Sequence, residues 1–152
     1  MILREMLVDD LDQVMEIEQD LFHVPWTKEG FFTFLTRDDA MFLVVEEKEK
    51  ILGYCGLLMV LDEGDITNVA VRRDRQKEGI GAFLMQSLIR LAAESLLMVH
   101  RDGLQQRGRL RQSIWKYVWE MRLQSVSMNV WDLPEMEYVR HITVILWRMR
   151  CL

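Results

Sequence analysis

Six consecutive residues, Gln76-Lys77-Glu78-Gly79-Ile80-Gly81, carry the clearest capacity for chemistry in this chain. Two glycines one residue apart let a turn of backbone pass close to a bound group. They lie between an apolar strand-like run ending at Val71 and an amphipathic helix-like run beginning near Ile80. A helix that starts there points unsatisfied N–H donors outward, which makes an anion site, most naturally for a pyrophosphate. The plainer reading of a lone Gly-x-Gly is an ordinary strand-to-helix turn. Arg72, Arg73, Arg75 and Lys77, crowded on the approach in an otherwise acidic half-chain, favour the anion. Two familiar phosphate loops are excluded. A P-loop needs Gly-Lys-Ser/Thr where Ile80-Gly81-Ala82 stands, and a dinucleotide fingerprint needs three glycines in the first strand–helix unit with an acidic residue about twenty positions on.

The elements that must position this turn follow from the apolar pattern. Met1 to Met6 alternates around Ile2 and Leu3 as a first strand. Asp9 and Asp10 offer an N-cap to a helix reaching about Leu21, with Leu11, Val14, Met15 and Phe22 on one apolar side. His23 follows in a loop, where a lone histidine is an ordinary solvated residue. Pro25-Trp26-Thr27 then closes that helix and opens a second, capped by Thr27 and carrying Phe31, Phe32, Phe34 and Leu35. Met41–Val45 and Ile51–Leu61 form a hairpin about the charged turn Glu47-Lys48-Glu49-Lys50, and Gly53 and Gly56 imply a bend or close packing in its second strand. Asp65–Val71 is the next strand, and its alternation breaks near Asn68, as a β-bulge would make it. Ile80, Phe83, Leu84, Leu88, Ile89 and Leu91 then recur at helical spacing as far as Ala93.

The hexapeptide and the strand before it, Leu61-Asp62-Glu63-Gly64-Asp65-Ile66-Thr67-Asn68-Val69-Ala70-Val71, with Pro25-Trp26 upstream, resemble the GCN5-related N-acetyltransferase superfamily. The central motif of that superfamily is Gln/Arg-x-x-Gly-x-Gly/Ala, and within it the chain is most similar to the RimI type, the ribosomal-protein-alanine N-acetyltransferases. The resemblance implies an α/β (α+β) fold, a mixed central sheet flanked by helices, with acetyl-CoA as cosubstrate. It implies that main-chain groups of Val69, Ala70 and Val71 pair with the pantetheine arm, while Gln76, Lys77, Glu78, Gly79, Ile80 and Gly81 cradle the phosphates. The bulge would open the cleft for the thioester, and the helix pair around Trp26 would form the acceptor-side wall. The acceptor implied is the basic amino-terminal segment of a ribosomal protein, with no direct contact to nucleic acid and none to a membrane.

Length, charge and cysteine usage agree with a single domain over residues 1–152 in a cytoplasmic soluble protein. No run of about eighteen apolar residues occurs, and the amino terminus lacks the pattern of a signal peptide. Cys55 and Cys151 have no metal-site or disulfide spacing and read as reduced and structural. Charge is uneven: residues 1–95 hold ten Lys/Arg against nineteen Asp/Glu, and residues 96–152 nine against five. An acidic face suits a basic acceptor, although for any single carboxylate surface solvation is the simpler role.

The likeness runs from Met1 to about Glu94 and then stops. The family's strand with Leu-Glu-Val-Arg and its later Leu-Tyr-Glu-x-x-Gly-Phe are absent, so its base (that Glu) and its acid (that Tyr) are not residues of this chain. Four of five tryptophans, Trp115, Trp119, Trp131 and Trp147, lie in the tail, and no glycine follows Gly108. Codon structure offers an account. Read from the third base of each codon, Trp115-Lys116 and Met128-Asn129 force Glu, while Trp119-Glu120, Trp131-Asp132 and Met136-Glu137 force Gly. The flanking positions then permit Leu-Glu-Val-Arg-Val-Gly-Asn over 114–121 and Leu-Tyr-Glu-Arg-Met-Gly-Phe over 126–133. We therefore expect that a frame change near residues 95–112, natural or a sequencing error, replaced the carboxyl-terminal part; the alternative is a genuine tail, helical from Gln112 to Leu123.

The resemblance also implies direct transfer, which requires holding the thioester, taking a proton from the acceptor ammonium and protonating the leaving thiolate. An α-amine of pKa about 7.7–8.0 needs only a modest base, and backbone N–H near Val69 can polarise the carbonyl. No catalytic residue is assigned. Glu63 and Asp65 are weak substitutes, and Tyr117 and Tyr138 fall outside the motif. Three functions therefore stand open: a RimI-like N-terminal acetyltransferase, a catalytically defective half-domain that at most binds CoA, and an acetyltransferase for a small amine.

Overall fold

The computed structural model describes residues 1–60, 63–102 and 142–143. The elements are β1 (Ile2–Glu5), α1 (Leu11–Leu21), α2 (Lys28–Leu35), β2 (Ala40–Glu47), β3 (Lys50–Val60), β4 (Glu63–Val71), α3 (Ile80–Asp102) and β5 (Ile142–Thr143). The sheet runs in the order β1-β2-β3-β4-β5. Its first three pairings are antiparallel and the last is parallel, which makes it mixed. One helical layer covers each face. This is the expected α/β architecture.

Local chemistry explains most boundaries. Thr27 is extended and its side chain accepts the Gly30 N–H at 3.1 Å, the expected cap of α2. Lys48 and Glu49, at φ 51° and 63°, turn the β2–β3 hairpin in the two-residue form whose twist matches the strands. Asp10 does something other than cap α1. Its carboxylate accepts the Leu7 N–H at 2.7 Å and takes both arms of the Arg4 guanidinium at 2.6 and 2.7 Å. A strong cation within reach outcompetes the helix's own amides for the oxygens. The third helix runs on past Ala93, to Asp102.

Two clusters form the core. On one face Leu43, Val45, Leu52, Cys55 and Leu57 pack with Ile80, Leu84, Leu88 and Leu91 of α3. On the other Phe42, Val44, Ile51 and Tyr54 pack with Leu11, Val14 and Ile17 of α1 and Phe31 of α2. The break in β4 is a bulge: Gly56 faces Asn68 and Leu57 faces Ile66, leaving Thr67 as the extra residue. The bulge puts two successive polar side chains, Thr67 and Asn68, on the α1 face, and it requires Gly56. A Cβ there would lie 2.6 Å from Thr67 Oγ1 and on the Phe42 ring. Gly53 is needed for the same reason, since its Cβ would approach the Ala70 carbonyl oxygen to 2.7 Å.

Candidate functional site

The predicted turn stands where β4 ends and α3 begins. From Val71 the chain makes one tight turn, Arg73–Arg75, and then passes through two left-handed residues, Lys77 at φ 65° and Gly79 at φ 81°. Alternating handedness curls successive N–H groups toward one side, the geometry of an anion nest. The first bond of α3 joins the Phe83 N–H to the Gly79 carbonyl at 3.0 Å, so the N–H groups of Ile80, Gly81 and Ala82 lie outside the helix's own ladder. Gln76 spends its side-chain amide on the Val71 carbonyl, 3.1 Å away. That bond clamps the turn to the strand and leaves the main chain to face a ligand. Lys77 and Glu78 are exposed, so the corner opens to solvent.

The basic residues of the approach behave differently from their sequence-level promise. Arg72 pairs with Glu16 at 3.7 Å and Asp74 at 3.3 Å. Arg73 bonds Asp20 Oδ2 at 3.0 Å and the Asp20 carbonyl, and Arg75 is held between Glu47 and Glu78, both at 2.9 Å. Two strong side-chain hydrogen bonds, to Glu47 and then to Glu78, raise the Arg75 pKa further above its ordinary value. These arginines brace the turn against α1 and β2. Their charge is largely neutralised by neighbours, and Lys77 alone among the four forms no ion pair among the described residues.

Beside the turn, the outer edge of β4 is paired with β5 only at Gly64 and Asp65 among the described residues. Among the described residues, no strand pairs with the outer edge of β4 from Ile66 to Val71, directly upstream of the nest. Val69 is half-buried and packs against the α3-side core, while Ala70 and Asn68 face α1. Val69, Ala70 and Val71 at the end of β4 and the six residues 76–81 thus lie at one corner of the fold.

One feature of the site is absent from the sequence reading. Glu18 of α1 is fully buried and receives three donors: the Trp26 N–H at 2.9 Å, the Tyr54 hydroxyl and the Asn68 amide at 3.3 Å. A signal existed, because position 18 continues the apolar stripe 11, 14, 18 of the helix; a carboxylate on a core stripe demands partners. Next to it, Thr67 Oγ1 and Asn68 Oδ1 are buried without a hydrogen-bond partner. Trp26 itself lies half-buried on Phe31 and Phe34, ring centroids 5.2 and 5.0 Å away. Cys55 is buried and inert, since burial pushes its thiol far above the usual range. The candidate helix Gln112–Leu123 and residues Tyr117 and Tyr138 fall outside the described residues, as does the side chain of Glu63. Among the described residues no group of three or more His, Cys, Asp or Glu could hold a metal, and no helix is long and apolar enough to cross a membrane.

A sheet with a bulged strand leading into a glycine turn at a helix head defines a class, and the sequence places the chain in it. Residues 11–106 match the acetyltransferase (GNAT) family, and the chain belongs to that family. Over 92 residues it is 37% identical to a Bacillus subtilis protein provisionally assigned as a ribosomal protein bS18-alanine N-acetyltransferase, a match covering 60% of this chain and 61% of that one. The corresponding enzyme of Salmonella typhimurium is 30% identical over 80 residues, 53% of each chain. Among solved structures, the ribosomal-protein-S18-alanine N-acetyltransferase of Escherichia coli superposes with a TM-score of 0.56 at 25% identity, covering 60% of this chain and 59% of the other. The fold is shared by the Thermoplasma acidophilum PaiA N-acetyltransferase in complex with coenzyme A, with a TM-score of 0.56, 13% identity and coverage of 60% and 71%. The chain spans less than two thirds of the length of the curated relatives it matches.

Proposed function

We propose that this chain binds acetyl-CoA at the β4–α3 corner and that its function is acetyl transfer to the amino-terminal alanine of a ribosomal protein. The observation that carries the reading is the conjunction of a β4 edge that has no partner strand from Ile66 to Val71 among the described residues with left-handed Lys77 and Gly79 at the head of α3. Acetyl-CoA, when bound, supplies an acyl group activated as a thioester. The chain's own part is to hold: main-chain groups of Val69, Ala70 and Val71 pair along the arm, and amides of residues 76–81 receive the diphosphate. The acceptor follows from relatives named for ribosomal protein bS18 and S18. The acidic balance of residues 1–95 supports a basic amino-terminal segment as its form. Such an acceptor puts the reaction in the cytoplasm.

A second reading, CoA binding without turnover, draws on the absence of the family's Glu and Tyr motifs after Glu94. We read 1–152 as one acetyltransferase domain whose residues 95–152 derive from a shifted frame. Independent resequencing of the gene tests this directly, and an uninterrupted frame through Ser95 to Leu152 would end it. Calorimetric titration with acetyl-CoA, followed by acetylation of an Ala-initiated basic peptide, tests the function. Heat with product supports transfer, and heat without product supports the binding-only form. Gly79→Trp is expected to abolish CoA affinity by filling the nest; unchanged affinity would remove the cofactor assignment.

A further inference from the structure

The polar cluster beneath the β4 bulge is centred on a buried carboxylate that the cofactor reading leaves without a role. Glu18 is fully buried on α1, and its donors come from three other places: the loop ahead of α2, β3 and the bulge of β4. Oε2 takes the Trp26 N–H, while Oε1 takes the Tyr54 hydroxyl and the Asn68 amide. A carboxylate so placed is costly to bury and costly to lose, because its removal takes an acceptor from several buried donors at once. It also joins two elements on either side of α1. Asn68 adjoins Val69 on β4, and Trp26 packs on Phe31 and Phe34 of α2.

The orphaned atoms sharpen the point. Thr67 Oγ1 and Asn68 Oδ1 are buried and unsatisfied, so the bulge is not held by its own side-chain bonding. The Asn68 amide bond to Glu18 is the side-chain tie that fixes the orientation of this residue. We propose that Glu18 is a positioning residue: its carboxylate links the β4 bulge, through Asn68, to the loop that carries Trp26, so that occupancy of the β4 edge is transmitted to the opposite wall of the cleft. This rests on the reading of the corner as a CoA site and adds a coupling between that site and the acceptor side. Substitution by Leu breaks the link at little change in volume, because it removes every acceptor; Gln would not, since its NH2 can donate to the Tyr54 hydroxyl and to a turned Asn68 amide.

The test uses the full chain labelled with fluorotryptophan, the Trp26 resonance being assigned from a Trp26→Phe sample, and coenzyme A itself as the probe. In the unsubstituted protein, CoA is expected to give binding heat and to shift the Trp26 signal. In Glu18→Leu the CoA Kd should stay within about fivefold, below the usual range of strong coupling, while the Trp26 shift is lost. Asn68→Ser cuts the same link from the strand side, leaves the Glu18 bond to Trp26 in place, and should also abolish the shift; it carries the test if Glu18→Leu fails to fold. A Trp26 shift that survives in a folded variant overturns the linkage, as does binding heat without any shift in the unsubstituted protein. Absence of binding heat overturns the cofactor reading itself, and the coupling falls with it.

Discussion

The two faces of the sheet use unlike means of holding together. Against α3 the fully buried contacts are aliphatic, Leu43, Val45, Leu52 and Leu57 meeting Leu84, Leu88 and Leu91, and the buried polar groups bond the α3 backbone, Cys55 Sγ 3.7 Å from the Leu84 carbonyl oxygen and Ser87 donating to the Phe83 carbonyl. Against α1 and α2 the packing is aromatic, with Phe31 set edge-on to Phe42 and Tyr54 at centroid distances of 5.8 and 5.6 Å, around the buried carboxylate of Glu18. The first face needs only volume and supports an element whose chemistry resides in backbone amides. The second needs orientation as well, because aromatic edges and charge-assisted hydrogen bonds are directional. The side facing the proposed acceptor is therefore the one where single atoms matter.

Adjacent residues on opposite faces give the strongest way to break that contrast. Tyr54→Phe removes one oxygen on the aromatic face and takes a donor from a buried carboxylate, with an expected loss of about 1.5–3 kcal/mol. Cys55→Ala removes one sulfur on the aliphatic face, where the bond to Leu84 is long, and should cost about 1 kcal/mol. Urea unfolding of both variants measures the difference. Equal losses would show that the two faces are held alike.

What the sequence made legible divides along the same line. Strand alternation, the Thr27 cap, the irregularity at Asn68 and the Gln76–Gly81 turn all depend on residues near one another in the chain. Each appeared where its local chemistry required. Asp10 went to Arg4 instead of the helix, and the three arginines before the turn went to Glu16, Asp20, Glu47 and Glu78. Those partners are set by tertiary neighbours, which spacing does not encode. Glu18 was hidden for the same reason: its position on the apolar stripe was visible, but its three donors come from three other elements.

A smaller effect is expected where polarity sits at the rim of the sheet. Burial pushes the Asp10 carboxyl up, but the Arg4 guanidinium and the Leu7 N–H more than offset this and hold it below its ordinary value of 3.8. A lowered folded-state pKa contributes stability that is complete above the ordinary value and is lost as pH falls through the folded one. Asp10→Asn should cost about 1–2 kcal/mol at neutral pH, since Arg4 keeps Glu46 at 2.6 Å. Below about pH 4 its stability should fall less steeply than that of the unsubstituted protein. Parallel acid limbs in urea midpoints would show that the pair does not carry this dependence.

The smallest expected effect asks whether backbone or charge does the holding at the turn. Lys77 alone of the four cations of the approach forms no ion pair among the described residues, and it also occupies a left-handed conformation, at φ 65°, that disfavours a side chain. Lys77→Gly removes the charge and relieves the strain together. Stability should rise, by less than about 1 kcal/mol, because glycine takes that φ freely but adds entropy to the unfolded chain. If the curled amides of residues 76–81 hold the diphosphate, CoA affinity should fall by no more than about tenfold, the worth of one exposed charge of roughly 1 kcal/mol. A loss of CoA affinity as complete as that expected for Gly79→Trp would assign the grip to the ammonium group, and the neutralised arginines around it would then mark Lys77 as the point where the turn concentrates its charge.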